Sequence, residues 1–345
     1  DANELIAKKL TESGHMFYAH RFMHSYPHDW RSKTPVIFRC TEQWFVDVNK
    51  PTERDGKGLR EMALAATGEG GSVNFVPAWG RNRMRGMLDS RPDWCISRQR
   101  AWGLPIPAFT MPDGSAFMTR SSAQAVADLI RSKGSDAWFT MAPGDLLASA
   151  DPDAPAELKN GTVTFDQLKK GQDILDVWFE SGSSWNAVMR DRSDGQDYPI
   201  DLYLEGSDQH RGWFQLSLLP SLGVMGEPAF RTLLTHGFMV DKDGKKLSKS
   251  KGAALKDLFD RYGADVLRWW VCSLAYENDV KVDEEFFKLA GESYRTIRNR
   301  LRFLLSNLNG YTPNDSIAFP PTSLEAFVLA EFERTRAKVV SAYER

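Results

Sequence analysis

The sequence predicts an α/β protein with helical additions, and three observations predict it. From Asp173 onward, short apolar runs alternate with helical stretches, the pattern of a parallel sheet with crossover helices. After that region, apolar residues recur at steps of three and four, the period of a helix with one buried face. Hydrophobic residues make up 42% of the 345 and charged residues 26%, which places the chain among globular proteins and excludes a disordered one.

Taken in order, Asn3 to Thr11 reads as a short amphipathic helix stopped by Gly14. Pro35-Val-Ile-Phe38 reads as a strand, and Leu59 to Asp93 as partly helical with Arg81, Arg83, Arg85 and Arg91 along it. Leu146 to Gln172, rich in Asp, Pro, Ala and Gly, reads as loop. Ile200 to Leu204 is an expected strand, Gln209 to Leu222 a helix, and Thr232 to Val240 a strand running into an Asp243-Gly244 turn. Leu255 to Tyr262 and Ala264 to Leu274 are expected helices. Phe287, Ala290, Tyr294, Ile297, Leu301, Leu304 and Leu308 form one apolar stripe, closed by Asn309-Gly310. Thr322 and Glu325 fit a capping box for a following helix.

Lys plus Arg number 44 and Asp plus Glu 46, so the net charge of −2 excludes a polycation and leaves room for a local basic patch. The 3 cysteines, Cys40, Cys95 and Cys272, lie too far apart for a CxxC site and argue for a reducing compartment. No run of about 18 apolar residues is present, so no membrane partner is expected. The chain begins without Met and stops within a helical pattern, so it is expected to be an excised piece of a longer protein.

The sharpest chemical signal is Lys246-Leu-Ser-Lys249-Ser-Lys-Gly252, placed after a strand and an Asp-Gly turn. Two lysines on a short loop suit a polyphosphate, since each is a compact charge with rotatable donors. Read alone, such a loop is more often a solvated hairpin tip. It is not a P-loop, because no G-x-x-x-x-G-K-[ST] run exists.

This loop resembles the KMSKS signature of the class I aminoacyl-tRNA synthetases, with Leu247 in place of Met. It follows Leu234-Thr-His236-Gly-Phe-Met-Val-Asp241. Upstream stand Tyr203-Leu-Glu205-Gly206-Ser-Asp208-Gln209-His210-Arg-Gly-Trp213, then Leu175-Asp-Val-Trp178-Phe-Glu-Ser-Gly182, then Arg91-Pro-Asp-Trp94-Cys-Ile-Ser-Arg98-Gln-Arg100. These blocks in this order are most similar to the isoleucyl enzymes of the class, over essentially the whole chain. A valyl- or leucyl-type enzyme, or a tRNA-binding module of synthetase ancestry without catalysis, are the alternatives.

The resemblance implies a reaction in two steps. The isoleucine carboxylate attacks the α-phosphate of ATP, and the acyl group of the adenylate then passes to the isoleucine tRNA. Catalysis there is positioning and electrostatic stabilisation. Lys246 and Lys249 match the loop lysines that hold the triphosphate. Glu205, Gly206, Asp208 and Gln209 match the adenylate-binding segment at a strand end, and His236 matches a position near the adenine, or is simply hydrogen-bonded in the core. Trp178, Gln209 and Trp213 match positions that shape the amino-acid pocket; Gln209 and Trp213, four residues apart, can share a helical face. Taken alone, the two tryptophans are ordinary core residues and Glu205 a surface carboxylate. Arg295, Arg298 and Arg302 share one helix side and are candidates for tRNA phosphates, or a solvated face.

The resemblance further implies four stretches. Residues 1–45 are the C-terminal end of an editing-domain insertion. Residues 46–172 are a catalytic-domain segment with a connective module. Residues 173–254 are the second half of a Rossmann-type catalytic domain, and 255–345 are stem-contact helices and the start of an α-helical anticodon-binding bundle. None of the 6 histidines stands in an H-x-G-H context. The HIGH half, and most of the editing domain that corrects valine, are expected upstream, so the piece alone is expected to be inactive. ATP with Mg2+ is the implied co-substrate, and the implied location is cytoplasmic. Some relatives carry a C-W-R-C cysteine pair where this chain has Asp29 and Ser32, poor substitutes for thiolates, so no zinc is expected.

Overall fold

The computed structural model describes residues 2–29, 32–147, 152–192, 197–241, 243–247, 255–312 and 318–344. They form two compact units, one of residues 1–51 and 92–180, the other of residues 52–91 and 181–345.

In the first unit, the helix Ala2–Glu12 buries no residue. Phe45–Val46 pairs antiparallel with Trp94–Cys95, and Ser97–Arg98 with Ile174–Leu175. A three-stranded antiparallel sheet of Ala116–Phe117, Phe109–Thr110 and Lys169–Lys170 backs a small core around Phe109, Phe117, Val126, Trp138 and Leu146. The helix Arg120–Lys133 starts at a capping box in which Thr119 and Ser122 bond reciprocally.

Two expectations are corrected here. Pro35 to Phe38 is not a strand: Pro35 makes one bridge to His28, while Ile37 and Phe38 are 81% and 79% exposed. β-branched and aromatic residues favour a strand only where a neighbouring strand offers a ladder. The 146–172 stretch, expected as loop, holds single helical turns at Ala156–Lys159 and Phe165–Gln167. They bury Leu158 on the core and flank the buried Leu168. One turn is too short to show a period, and tertiary burial stabilises it.

The second unit holds a three-stranded parallel sheet in the order Asn74–Val76, Phe230–His236, Ile200–Gly206. Leu233 of the central strand is fully buried. The helix Trp213–Met225 is apolar nearly all round, with Phe214, Leu216, Leu218, Leu219 and Leu222 buried, as befits a helix enclosed by its own domain. Helices Leu59–Thr67 and Trp79–Asp89 belong to the same unit.

The expected helix from Gln209 to Leu222 is two elements. A 3-10 turn, Ser207–His210, ends before Gly212, and the α-helix begins at Trp213. Gln209 Oε1 accepts from the Trp213 backbone N–H at 3.0 Å, so it satisfies a donor at the start of the second helix instead of sharing a face with Trp213. The expected strand from Thr232 to Val240 breaks at Gly237. Its N–H bonds Tyr276 O, and a Cβ there would lie 2.1 Å from the Asn278 carbonyl, so only glycine fits. Met239–Val240 then pairs parallel with Val280–Lys281.

The helices Leu255–Tyr262, Ala264–Cys272, Glu284–Asn307 and Leu324–Tyr343 complete the unit. Only the first part of the apolar stripe is covered: Phe287 and Ala290 pack on Val266, Leu267 and Trp270, while Leu301, Leu304 and Leu308 are more than half exposed. The last helix is capped one residue later than expected, by Ser323, whose hydroxyl accepts from Ala326 N. Among the described residues no helix is long and apolar enough to cross a membrane.

Candidate active site

Parallel strands end with their side chains and the following loops at one edge, where open α/β sheets bind ligands. In the second unit Glu205 and Gly206 close one strand and stand in register with Thr235 and His236 of its neighbour. Gly206 is extended, and its N–H bonds Glu205 Oε2 at 3.1 Å. A Cβ on Gly206 would come within 2.9 Å of the Phe238 ring and 3.0 Å of Asp208 Oδ1. Glycine therefore lets the strand end, the Asp208 carboxylate and the Phe238 ring lie against one another.

His236 is half-buried, and its Nδ1 lies 2.7 Å from Gly237 O. A carbonyl only accepts, so Nδ1 carries a proton, and in the neutral ring Nε2 is the acceptor nitrogen. Phe238 is anchored by its own N–H, which donates to Asp279 Oδ1 at 2.8 Å.

The loop that carries the first lysine is a short hairpin. Asp241 Oδ1 accepts from the N–H groups of Asp243 and Lys245, Gly244 sits at φ +77, and Leu247 N returns to Met239 O at 3.0 Å. This brings Lys246 Nζ to 3.8 Å above the Phe238 ring centroid and 3.9 Å from Asp208 Oδ2. Both partners of that ion pair are more than half exposed. Such a pair is worth about 0–1 kcal/mol, so a polyphosphate can outcompete it for the ammonium. Lys249, Ser248 and Gly252 lie outside the described residues.

Behind this edge the packing is aromatic. Trp213 stacks on Tyr203 with centroids 4.1 Å apart and planes 10° apart, and its indole N–H donates to Ser181 O at 2.9 Å. Trp213 is thereby fixed at the head of its helix. His210 is fully buried between Trp79 and Phe214, its Nδ1 3.0 Å from Ser207 O. Burial, with Arg83 nearby, holds its pKa below the ordinary histidine value.

Trp178 belongs to the first unit. It lies in the first turn of the short helix Val177–Gly182, is 38% exposed, and its N–H bonds Asp176 Oδ1 at 3.3 Å. Asp176 is buried and also accepts from Trp94 Nε1 at 3.2 Å and Arg98 at 2.9 Å, so the Trp94–Arg98 block and the Asp176–Trp178 block form one bonded cluster. Among the described residues no group of three His, Cys, Asp or Glu is placed to hold a metal ion. His28 Nδ1 instead bonds Tyr26 O at 2.7 Å, and Asp29 accepts from Ser32 N.

Lys246, Asp208, Gly206, Glu205 and His236 thus gather at one sheet edge. Phe238, which underlies the lysine, was not singled out by the sequence. Its place in the His236-Gly-Phe238 string reads as mid-strand until the break at Gly237 is known.

A glycine-bearing acidic strand end beside a lysine hairpin, at the edge of a parallel sheet, marks the second unit as an open α/β domain with its charged groups at the strand ends. The family described as tRNA synthetases class I (I, L, M and V) matches residues 6–283, and the chain belongs to it. Within that family it is 42% identical to the isoleucine–tRNA ligase of Kosmotoga olearia, covering 100% of this chain and 36% of the relative. It is 44% identical to that of Acinetobacter baylyi, covering 99% and 34%. The chain therefore spans about a third of the length of the curated relatives it matches. Among solved structures, Mycobacterium tuberculosis methionyl-tRNA synthetase bound by methionyl-adenylate is similar in fold, with a TM-score of 0.52 over 90% of this chain and 50% of that one at 17% identity.

Proposed function

We propose that this chain is part of an isoleucine–tRNA ligase, and that it carries the lysine-loop half of the site that makes isoleucyl-adenylate from isoleucine and ATP and charges the isoleucine tRNA. The observation that carries the reading is the gathering of Glu205, Gly206, Asp208, His236 and Lys246 at the C-terminal edge of the parallel sheet, in a chain whose full-length similarity is to isoleucine–tRNA ligases.

In this reading Gly206 admits the adenylate close to the backbone, and the Glu205 and Asp208 carboxylates accept from ribose hydroxyls or the α-ammonium. His236 Nε2 faces the adenine side as an acceptor. Lys246, with Lys249 in the same loop, draws negative charge off the triphosphate as the α-phosphate is attacked. Lys246 moves from Asp208 to the phosphates as ATP arrives, which frees the carboxylate for its own ligand. Gln209 supports the Trp213 helix, and Trp178, Gln209 and Trp213 belong to amino-acid recognition by resemblance. Magnesium enters with ATP and offsets phosphate charge. The parent enzyme is cytoplasmic.

Isoleucine-dependent ATP–pyrophosphate exchange tests this, with the chain alone and combined with the upstream portion of an isoleucine–tRNA ligase, valine and leucine serving as controls. Exchange on combination, strongest with isoleucine, is expected. Exchange strongest with leucine or valine, or none in any combination, sinks the reading.

A further inference from the structure

Three elements of the second unit meet at Trp213: the strand Ile200–Gly206, the helix Trp213–Met225 and residues 181–190. The Tyr203 ring lies nearly parallel to Trp213, and Phe230 packs on Tyr203 at 4.7 Å between centroids. From the third element, Ser181 O holds the indole N–H. A Cβ on Gly182 would collide with the Leu216 carbonyl, so this segment runs backbone to backbone along the helix. It continues as a π-helical turn, Trp185–Arg190, a rare form that recurs at functional sites.

The same three elements each send a hydroxyl to one place. Tyr203 Oη faces Ser217, one turn after Trp213, and Ser184, three residues after Ser181. Tyr203 and Ser217 are 3% and 0% exposed, and among the described residues neither hydroxyl completes a hydrogen bond. Burial pushes the Tyr203 phenol above its ordinary value, so it stays protonated and able to donate. Burying a hydroxyl without a partner costs free energy. Phenylalanine and alanine would fill the same places without that cost. Stability therefore does not account for this tyrosine and serine, and a local cost kept in a core marks a functional role.

We propose that Tyr203 is a positioning residue for amino-acid recognition: Trp213 is set on its ring, and its hydroxyl, with Ser217 and Ser184, fixes the tilt of that ring when an amino acid presses on the indole. The inference rests on the reading that Trp213 shapes the amino-acid pocket, and adds to it the group that determines where the indole stands. Two rings in face-to-face contact at 4.1 Å, inside a close-packed core, pass a shift of one to the other.

The test is isoleucine-dependent ATP–pyrophosphate exchange by the chain combined with the upstream portion of an isoleucine–tRNA ligase, with kcat and KM measured for isoleucine, valine and ATP. Tyr203→Leu removes the ring face and is expected to raise KM for isoleucine about three- to tenfold. It is expected to leave kcat and KM for ATP within about twofold, and to narrow the preference for isoleucine over valine. Tyr203→Phe keeps the ring and is expected to raise KM for isoleucine only about twofold, with a urea-unfolding midpoint unchanged or higher. In a Trp213→Phe background, Tyr203→Leu is expected to add less than about twofold, because its effect passes through the indole. Glu205 lies two residues along the same strand, so a merely distorted strand would raise KM for ATP as well. Wild-type KM for isoleucine in Tyr203→Leu, an equal rise for ATP, or full additivity with Trp213→Phe overturns the proposal. If far-UV circular dichroism shows Tyr203→Leu unfolded, Tyr203→Phe takes its place in the cycle, and a wild-type KM there overturns it. No exchange by the wild-type pair sinks the function and the inference together; wild-type exchange that the variants leave unchanged sinks the inference alone.

Discussion

The Lys246 ammonium rests 3.8 Å above the centroid of the Phe238 ring. The same ring lies on Gly206, where an added Cβ would meet it at 2.9 Å. One aromatic side chain therefore ties the lysine hairpin to the strand end that is proposed to hold the adenylate. A cation over an exposed ring gains about 0.5–1 kcal/mol. Phe238→Leu keeps the bulk and removes the ring face. It is expected to slow isoleucine-dependent exchange by about two- to fivefold, with Phe238→Trp restoring it. Equal rates for all three would show that the ring does not position the lysine.

Gly237→Ala tests the kink that delivers Phe238. Its Cβ would lie 2.1 Å from the Asn278 carbonyl carbon and oxygen, backbone atoms that cannot rotate away. The strand or the Asn278–Asp279 turn must shift, and overpacking of this kind costs about 1–3 kcal/mol. Because Asp279 Oδ1 holds the Phe238 N–H, exchange activity is expected to fall together with stability. Urea unfolding and the exchange assay on the same variant check both; an unchanged unfolding midpoint would contradict the geometry.

Arg60 makes a third case. Its guanidinium donates to the carbonyls of Leu88, Asp89 and Arg91, at the end of the helix Trp79–Asp89. Leu88 O also accepts from the N–H groups of Ser90 and Arg91, but carbonyls at a helix end lack the donors of a following turn, and a cation also suits the negative end of the helix dipole. Arg60→Met keeps the stem and removes the donors. A loss of about 2 kcal/mol is expected by urea unfolding, from the usual value of charged hydrogen bonds. A loss near zero would mean that solvent serves those carbonyls equally well.

Which of these features could be seen in the sequence follows from how local their causes are. The strand at Ile200 and the hairpin at Asp243-Gly244 depend on neighbours a few residues away, and both were legible. Glu205, Gly206, Asp208 and Lys246 were singled out through the resemblance, and the structure sets the first three at or just after a strand end, with Lys246 brought to them by its hairpin. The break at Gly237 was not legible, since its cause is Asn278, more than forty residues later. Gln209 and Trp213 were read as one helical face because spacing says nothing of a Gly212 bend. The role of Arg60 was not legible, because the carbonyls of Leu88, Asp89 and Arg91 that it binds lie about thirty residues later. The stripe from Phe287 to Leu308 was legible as a period, but only packing shows that its second half is exposed.

His210 supplies a pH dependence whose sign can be worked out. The ring is fully buried between Trp79 and Phe214, and among the described residues Nε2 has no hydrogen-bond partner. Burial comes first, and Arg83 adds to it, in holding its folded-state pKa below the ordinary value of about 6.5. As pH falls through about 6.5 the unfolded chain takes up a proton there and the folded chain does not. Folding stability therefore drops from that point downward, until the folded-state pKa is reached, by at most about 1.4 kcal/mol per pH unit for one group. Above about pH 7.5 both states are neutral and the contribution is flat. His210→Phe, which suits the apolar neighbours and cannot titrate, gives up the bond to Ser207 O at every pH. Its stability should therefore be offset by a constant, and the loss between pH 7.5 and 5.5 should be smaller than in the parent chain. Urea unfolding at the two pH values measures that difference. If parent and variant lose stability in parallel, the buried imidazole is not the group that senses the acid.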